Sequence, residues 1–202
     1  MSAERGRVAG ILLAAGLSNR MGVNKLLLPV EGEPLVRRTA RRALSGGLDP
    51  LMVVLGYQAE AVSEAIADLP CRVVFNPEYE RGQASSLRSG VAELDETISA
   101  AVVVLADMPF VTPEMIAELA AEQARTGAPL VVSDYGGVHA PPTLYGRALF
   151  AELRAASDQG CGRQVARHHG AEAAVVRWPA AALADLDVPS DYERLRAMAD
   201  AR

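Results

Sequence analysis

Apolar residues along this chain gather into short runs that stop at turn residues. Residues 8–13 form the first run and end in Ala14-Ala15-Gly16. Residues 51–55 end at Gly56, residues 72–75 at Asn76-Pro77, and residues 101–105 just before Asp107-Met108-Pro109; residues 130–132 make a fifth run. Short, continuously apolar runs bounded by turn residues predict strands buried on both faces. Stretches with helical spacing lie between them. Residues 33–44 have a proline near the first turn and Gly46-Gly47 beyond the end. Residues 58–69 and 85–94 follow, the latter with Ser85 as a natural cap. Thr112-Pro113 opens a helix that runs to about residue 126, and Ser190 caps another in the tail.

The alternation βαβαβ predicts a three-layer α/β domain with a mostly parallel central sheet. The chain has 202 residues, half of them hydrophobic, which suits a single domain over residues 1–202 with a substantial core. A net charge of -5, with no basic block interleaved with aromatics, argues against nucleic acid as a partner. Arg37, Arg38, Arg41 and Arg42 are expected to form the solvated face of one helix. Cys71 and Cys161 have no paired spacing, so neither a cysteine zinc motif nor a disulfide framework is indicated, and a reduced, cytoplasmic setting fits best. No apolar run is long enough to span a membrane, and the N-terminus lacks the apolar stretch of a signal peptide.

In parallel α/β sheets, ligands bind beyond the carboxyl ends of the strands. The segment after the first run reads LAAGLSNRMGVNK, residues 13–25. Small residues let backbone N–H groups approach an anion, and Arg20 and Lys25 could neutralise phosphate charge. The loop is neither a Walker A sequence nor a GxGxxG dinucleotide fingerprint. On residue content alone it reads equally as a phosphate cradle and as a glycine-rich turn with two solvated cations.

The pattern LAAGxSxRMGxxK resembles the signature of the MobA-like nucleotidyltransferases, which include the molybdenum cofactor cytidylyl- and guanylyltransferases. Leu13, Ala14, Ala15, Gly16, Ser18, Arg20, Met21, Gly22 and Lys25 meet its fixed positions. Residues 76–90, with Gly82, Ser85, Ser86 and Gly90, are similar to the family's second block, which implies that Ser86 and Gly82 lie against the nucleotide. Leu105-Ala106-Asp107-Met108-Pro109 resembles the LADMP block. A carboxylate after a buried strand suits Mg2+, which takes hard oxygen ligands. Asp185-Leu186-Asp187-Val188-Pro189 resembles the family's C-terminal DIDTP stretch. The resemblance implies Asp187 as a second metal ligand, with Asp185 as a helper; the two aspartates share a face if the segment is extended. The acceptor-side region, residues 135–163, matches less cleanly, with Ala140 where a glycine is expected before the prolines. His139 reads as an acceptor contact or a plain loop histidine, and His168-His169 as surface residues at a helix end.

The resemblance implies a Rossmann-like nucleotidyltransferase fold. It also implies transfer of a nucleoside monophosphate to a phosphate acceptor with release of pyrophosphate. Lys25, Arg20 and Asp107 would be the catalytic residues, and residues 13–16, Ser18, Arg20, Lys25, Gly82 and Ser86 would form the nucleotide site. Ala15, Val23 and Asn24 resemble the cytidylyl branch, which points to CTP rather than GTP. The implied acceptor is molybdopterin bearing molybdenum, with a molybdoenzyme client as a further partner. Two alternatives stand beside this reading: the same chemistry on another phosphate acceptor, such as a sugar phosphate, and a non-catalytic molybdoenzyme maturation module on the same fold.

Overall fold

The structure is a computed structural model that describes residues 6–18, 21–157, 161–183 and 190–193. Arg20, Asp185 and Asp187, all singled out from the sequence, lie outside the described residues.

Strand β1 (Arg7–Ala14) is the centre of a seven-stranded sheet. Parallel neighbours β4 (Leu51–Leu55) and β6 (Ile98–Leu105) flank it, and β5 (Arg72–Phe75) extends the sheet beyond β4. β1, β4 and β6 are almost wholly apolar because both faces are covered, whereas the edge strand β5, expected to be buried on both faces, leaves Val73 and Phe75 exposed. Leu12 and Ala14 pack with Leu35, Val36, Ala40, Ile116 and Leu119 on one face. The alternate residues Ile11 and Leu13 pack with Leu87, Val91, Phe150 and Val165 on the other. The helices on the first face are α1 (Leu35–Ser45), α2 (Ala59–Glu64) and α4 (Pro113–Thr126). The second face carries α3 (Gln83–Ala92), α5 (Phe150–Ala155) and α6 (Cys161–His168).

The other half of the sheet departs from the purely parallel pattern. β8 (His139–Gly146) runs antiparallel between β6 and β7 (Leu130–Tyr135), and β9 (Ala174–Trp178) pairs parallel with β7. Pro141 and Pro142 sit where the β7–β8 register shifts, between Val132↔Thr143 and Ser133↔Ala140. A bulge tolerates prolines that a regular central strand would reject. Ser133 Oγ donates to the Pro142 carbonyl at 2.6 Å, and Tyr135 Oη donates to that of Pro141 at 2.9 Å, so side chains replace ladder bonds there.

Several local expectations are corrected. Helix α1 begins at Leu35 because residues 29–34 form a hairpin of β2 (Pro29–Val30) and β3 (Glu33–Pro34). Glu31 and Gly32 take φ of 51° and 86° in its two-residue turn, and Pro34 becomes the helix cap. Helix α2 stops at Glu64 because Ile66, Ala67 and Leu69 bond three residues back, a tighter winding than the α-helix. Gly82, not Ser85, caps α3, and Ser85 lies buried inside it. Thr112 does cap α4, accepting from Met115 N.

The arginines of α1 are not one solvated face. Arg37 pairs with Asp68 and Arg41 with Glu33. Arg38 is buried against Glu31, and Arg42 Nη1 donates to the carbonyls of Pro109 (2.6 Å) and Val111 (2.9 Å). The Arg42 fork is satisfied by those carbonyls, which lets a guanidinium bury, whereas Arg38 pairs with Glu31 through Nη2 and leaves Nη1 buried without an acceptor among the described residues.

Candidate active site

The parallel register fixes where the chemistry collects. Leu13 stands opposite Leu105, Ala14 opposite Leu55, and Leu55 opposite Phe75. The carboxyl ends of four strands therefore come level, and the residues after them, Ala15-Gly16, Gly56-Tyr57, Asn76 and Ala106-Asp107, share one edge. Backbone bonds lace that edge: Ala106 N donates to Leu13 O at 3.0 Å and Tyr57 N to Ala15 O at 3.5 Å.

A cavity of about 200 Å³ opens there, lined by Leu13, Ala15, Gly16 and Lys25 from the first loop, Gly82, Gln83 and Ser86 from α3, and Asp107 after β6. Lys25 Nζ donates to Asp107 Oδ2 at 2.5 Å, and both side chains are mostly buried. Ser18 is not on the cavity wall but shapes the loop. At φ 52° its hydroxyl accepts from Lys25 N at 3.2 Å. Ala14 faces the core on the opposite side of β1. Asn24 is buried, and its Oδ1 caps the 3₁₀ turn Lys25–Leu27 by accepting from Leu26 N. Val23 is 55% exposed and does not line the cavity. Of the three positions that resemble the cytidylyl branch, only Ala15 touches the cavity.

Ser86 is held rather than free. Asn76, 1% exposed, donates its amide to Ser85 Oγ at 2.9 Å and Ser86 Oγ at 3.0 Å, and its Oδ1 accepts from Glu78 N. Ser85 Oγ in turn reaches the Gly82 carbonyl at 2.8 Å. This network fixes the first turn of α3, whose N-terminal amides favour an anion at the cavity. Gly82 takes φ 99°, a conformation that L side chains rarely adopt.

The sequence reading missed Leu17, Leu26, Tyr79, Glu80, Gln83 and Leu105 as cavity lining. It also missed the supports of the Asp107 turn: Thr39 Oγ1, which donates to Ala106 O at 3.2 Å, and Arg42 on Pro109 and Val111. No motif marks them, because they act from a helix packed under the loop.

A second cavity of about 890 Å³ adjoins the first, and Gln83 and Leu105 line both. Leu87, Val103, Val132 and Tyr145 make its floor, while His139 from β8 and Arg163 and Arg167 from α6 rim it. Fold and site together define an α/β protein with a lysine–carboxylate pair in a cavity at the carboxyl edge of the sheet, beside a larger pocket.

The comparisons with known proteins agree. Residues 10–174 match the MobA-like NTP transferase domain, and the chain belongs to that family of nucleotidyltransferases. The purine catabolism protein PucB of Bacillus subtilis is 30% identical, with 93% of this chain and 95% of PucB aligned. Nicotine blue oxidoreductase of Paenarthrobacter nicotinovorans is 36% identical over 113 residues, 55% of each chain. A crystal structure of the Mycobacterium tuberculosis Rv0371c homologue from Mycobacterium sp. strain JC1 superposes with a TM-score of 0.82 at 31% identity, covering 96% of this chain and 98% of that one.

Proposed function

We propose that this nucleotidyltransferase moves CMP from CTP to the phosphate of the molybdenum cofactor, molybdopterin bearing molybdenum. The observation that carries the reading is the Lys25–Asp107 pair at the cleft, with the larger pocket beside it. The triphosphate lies along Leu13, Ala15, Gly16 and Lys25, in a loop that Ala14 anchors to the core and Ser18 shapes, with its base toward Gly82 and Ser86. An acceptor phosphate oxygen attacks the α-phosphorus, the new P–O bond forms, and the α–β bridging oxygen leaves with its electron pair as pyrophosphate. An ionised phosphate needs no general base, so positioning and charge stabilisation supply most of the catalysis. Lys25 meets the charge that develops at the α-phosphate. Arg20 and the loop amides hold the leaving pyrophosphate.

Asp107 offers a hard carboxylate donor, its side chain 23% exposed at the cavity, which suits Mg2+. Asp187, outside the described residues, is the proposed second ligand. The ion would supply charge neutralisation on the phosphates.

The larger pocket supports an acceptor of substantial size, with an apolar body over Leu87, Val103 and Tyr145 and anionic groups toward Arg163 and Arg167. Ala15, at the cavity wall, supports a pyrimidine over a purine by filling space that glycine would leave. We place the reaction in the cytoplasm, with residues 1–202 as one domain and a molybdoenzyme client taking the product. An oxidoreductase reading finds no GxGxxG fingerprint in the first loop.

Pyrophosphate release with Mg2+, molybdenum cofactor and either CTP or GTP tests the proposal. Turnover confined to CTP is expected. Turnover with GTP alone overturns the base assignment, and turnover only with sugar phosphates overturns the acceptor.

A further inference from the structure

On the outer surface of the second helical layer, away from the cleft, α5 and α6 meet through one carboxylate. Glu152 of α5 divides its oxygens between two adjacent imidazoles. Oε1 lies 2.9 Å from His168 Nδ1, and Oε2 lies 2.7 Å from His169 Nε2. The three ligand-type atoms all fall within 4.8 Å of one another. His169 is only 20% exposed, and its second nitrogen, Nδ1, faces Glu172 Oε1 at 3.5 Å.

We infer that Glu152, His168 and His169 form a binding site for a divalent transition metal, with zinc the best fit, separate from the nucleotide cleft. The donor set argues for the ion. Two imidazole nitrogens and one carboxylate oxygen suit Zn2+ far better than Mg2+. Around a tetrahedral zinc with bonds of about 2.0–2.1 Å, neighbouring ligand atoms stand ~3.3 Å apart. One carboxylate oxygen and the two imidazole nitrogens already lie within 4.8 Å of one another, so each spacing needs to change by about 1.5 Å at most to reach it. His168, 72% exposed, has room to swing. Three protein ligands leave one position for water.

The surroundings support the same ion. Glu172 behind His169 is the outer carboxylate that fixes the ring and raises its basicity in carboxylate–histidine–metal arrangements. His168 is the last residue of α6, where the helix carbonyls favour a cation. The site also has a structural consequence. It ties α5 to the end of α6, and α6 presents Gly162, Arg163, Ala166 and Arg167 to the larger pocket. An ion here would pin one wall of that pocket.

The test is equilibrium dialysis of the full chain against micromolar Zn2+, with Co2+ as a spectroscopic probe. One equivalent of zinc is expected per chain, with tetrahedral ligand-field bands for Co2+ and a raised Tm. D107N should retain all three signals, and H168A, H169A and E152Q should each lose the stoichiometric ion. E172Q should weaken binding by about tenfold. The site is overturned if wild type retains no zinc, or if the folded H168A/H169A double variant retains as much as wild type. Loss of zinc from D107N with retention in H169A would also overturn it, by assigning the ion to the cleft.

Discussion

Lys25 Nζ lies 2.5 Å from Asp107 Oδ2, joining the loop after β1 to the turn after β6 across 82 residues of chain. The two charges offset each other at the cavity; in the proposed reaction the ammonium would turn to phosphate and the carboxylate to the metal. Lys25→Met and Asp107→Asn should each lower turnover by about 10²–10³-fold or more, as expected when a group that stabilises developing charge is removed. Because the two act as a unit, the double variant should be little worse than either single one. Stability should fall by about 1–3 kcal/mol, because the pair is mostly buried and removing one partner leaves the other unsatisfied. Steady-state pyrophosphate assays beside thermal melts check this, and near-wild-type turnover in either variant would remove the pair from the mechanism.

Asn76 holds the α3 side of the cavity from beneath. Its side chain is almost wholly buried and bonded to Ser85, Ser86 and Glu78 N. Asn76→Ala strands those partners in a dry place, and a lost buried network of this size costs about 1–3 kcal/mol. For a chain of this length, Tm should fall by roughly 2–4 °C per kcal/mol. As α3 loosens, KM for the nucleotide should rise more than kcat falls. An unchanged KM in a destabilised variant would mean that the network supports the fold without positioning the nucleotide.

The parallel half of the sheet is legible in the sequence for a physical reason. β1, β4, β5 and β6 are short runs ending in turn residues, and the boundaries of β4 and β5 coincide with the runs at residues 51–55 and 72–75. Of the candidate site residues, Leu13, Ala15, Gly16 and Asp107 come to one edge for the same reason, while Arg20 and Asp187 lie outside the described residues. The other half is harder to read. β8 carries Pro141-Pro142, which argue against a central strand until the bulge against Ser133 is seen. The hairpin at residues 29–34 hides in what reads as the first turn of α1. The burial of Arg38 and Arg42 depends on partners, Glu31 and the Pro109 and Val111 carbonyls, that periodicity does not reveal.

Gly56, directly after β4, supports the cleft by having no side chain. A Cβ built there would stand 2.4 Å from Tyr79 Cβ and 3.0 Å from Ala15 Cβ. Both neighbours line the smaller cavity. Gly56→Ala must therefore push the segment that carries Tyr79 away from the first loop. Overpacking of this kind costs about 1–3 kcal/mol. Nucleotide affinity, read by isothermal calorimetry, should fall with it. A variant that melts lower yet binds nucleotide normally would show that the strain is relieved away from the cleft.

The clasp of Glu152 on His168 and His169 gives the protein a pH-dependent element when metal is removed by chelator. The Glu152 hydrogen bond raises the His169 pKa above its usual 6.5, and Glu172 adds to the effect. Hydrogen bonds from His168 and then His169 lower the Glu152 pKa below 4.5. The two shifts set a window. The histidine contribution is fully present below pH 6.5 and is lost as pH rises through the raised value. The glutamate contribution is present above pH 4.5 and is lost as pH falls through the lowered value. The stability difference between wild type and His169→Ala in EDTA should therefore be largest between those two pH values and shrink on either side. Salt should reduce it, since both partners lie at the surface. Melting curves of the two proteins from about pH 4 to 9 decide the point, because a difference that stays flat across that range would mean the clasp contributes packing rather than charge.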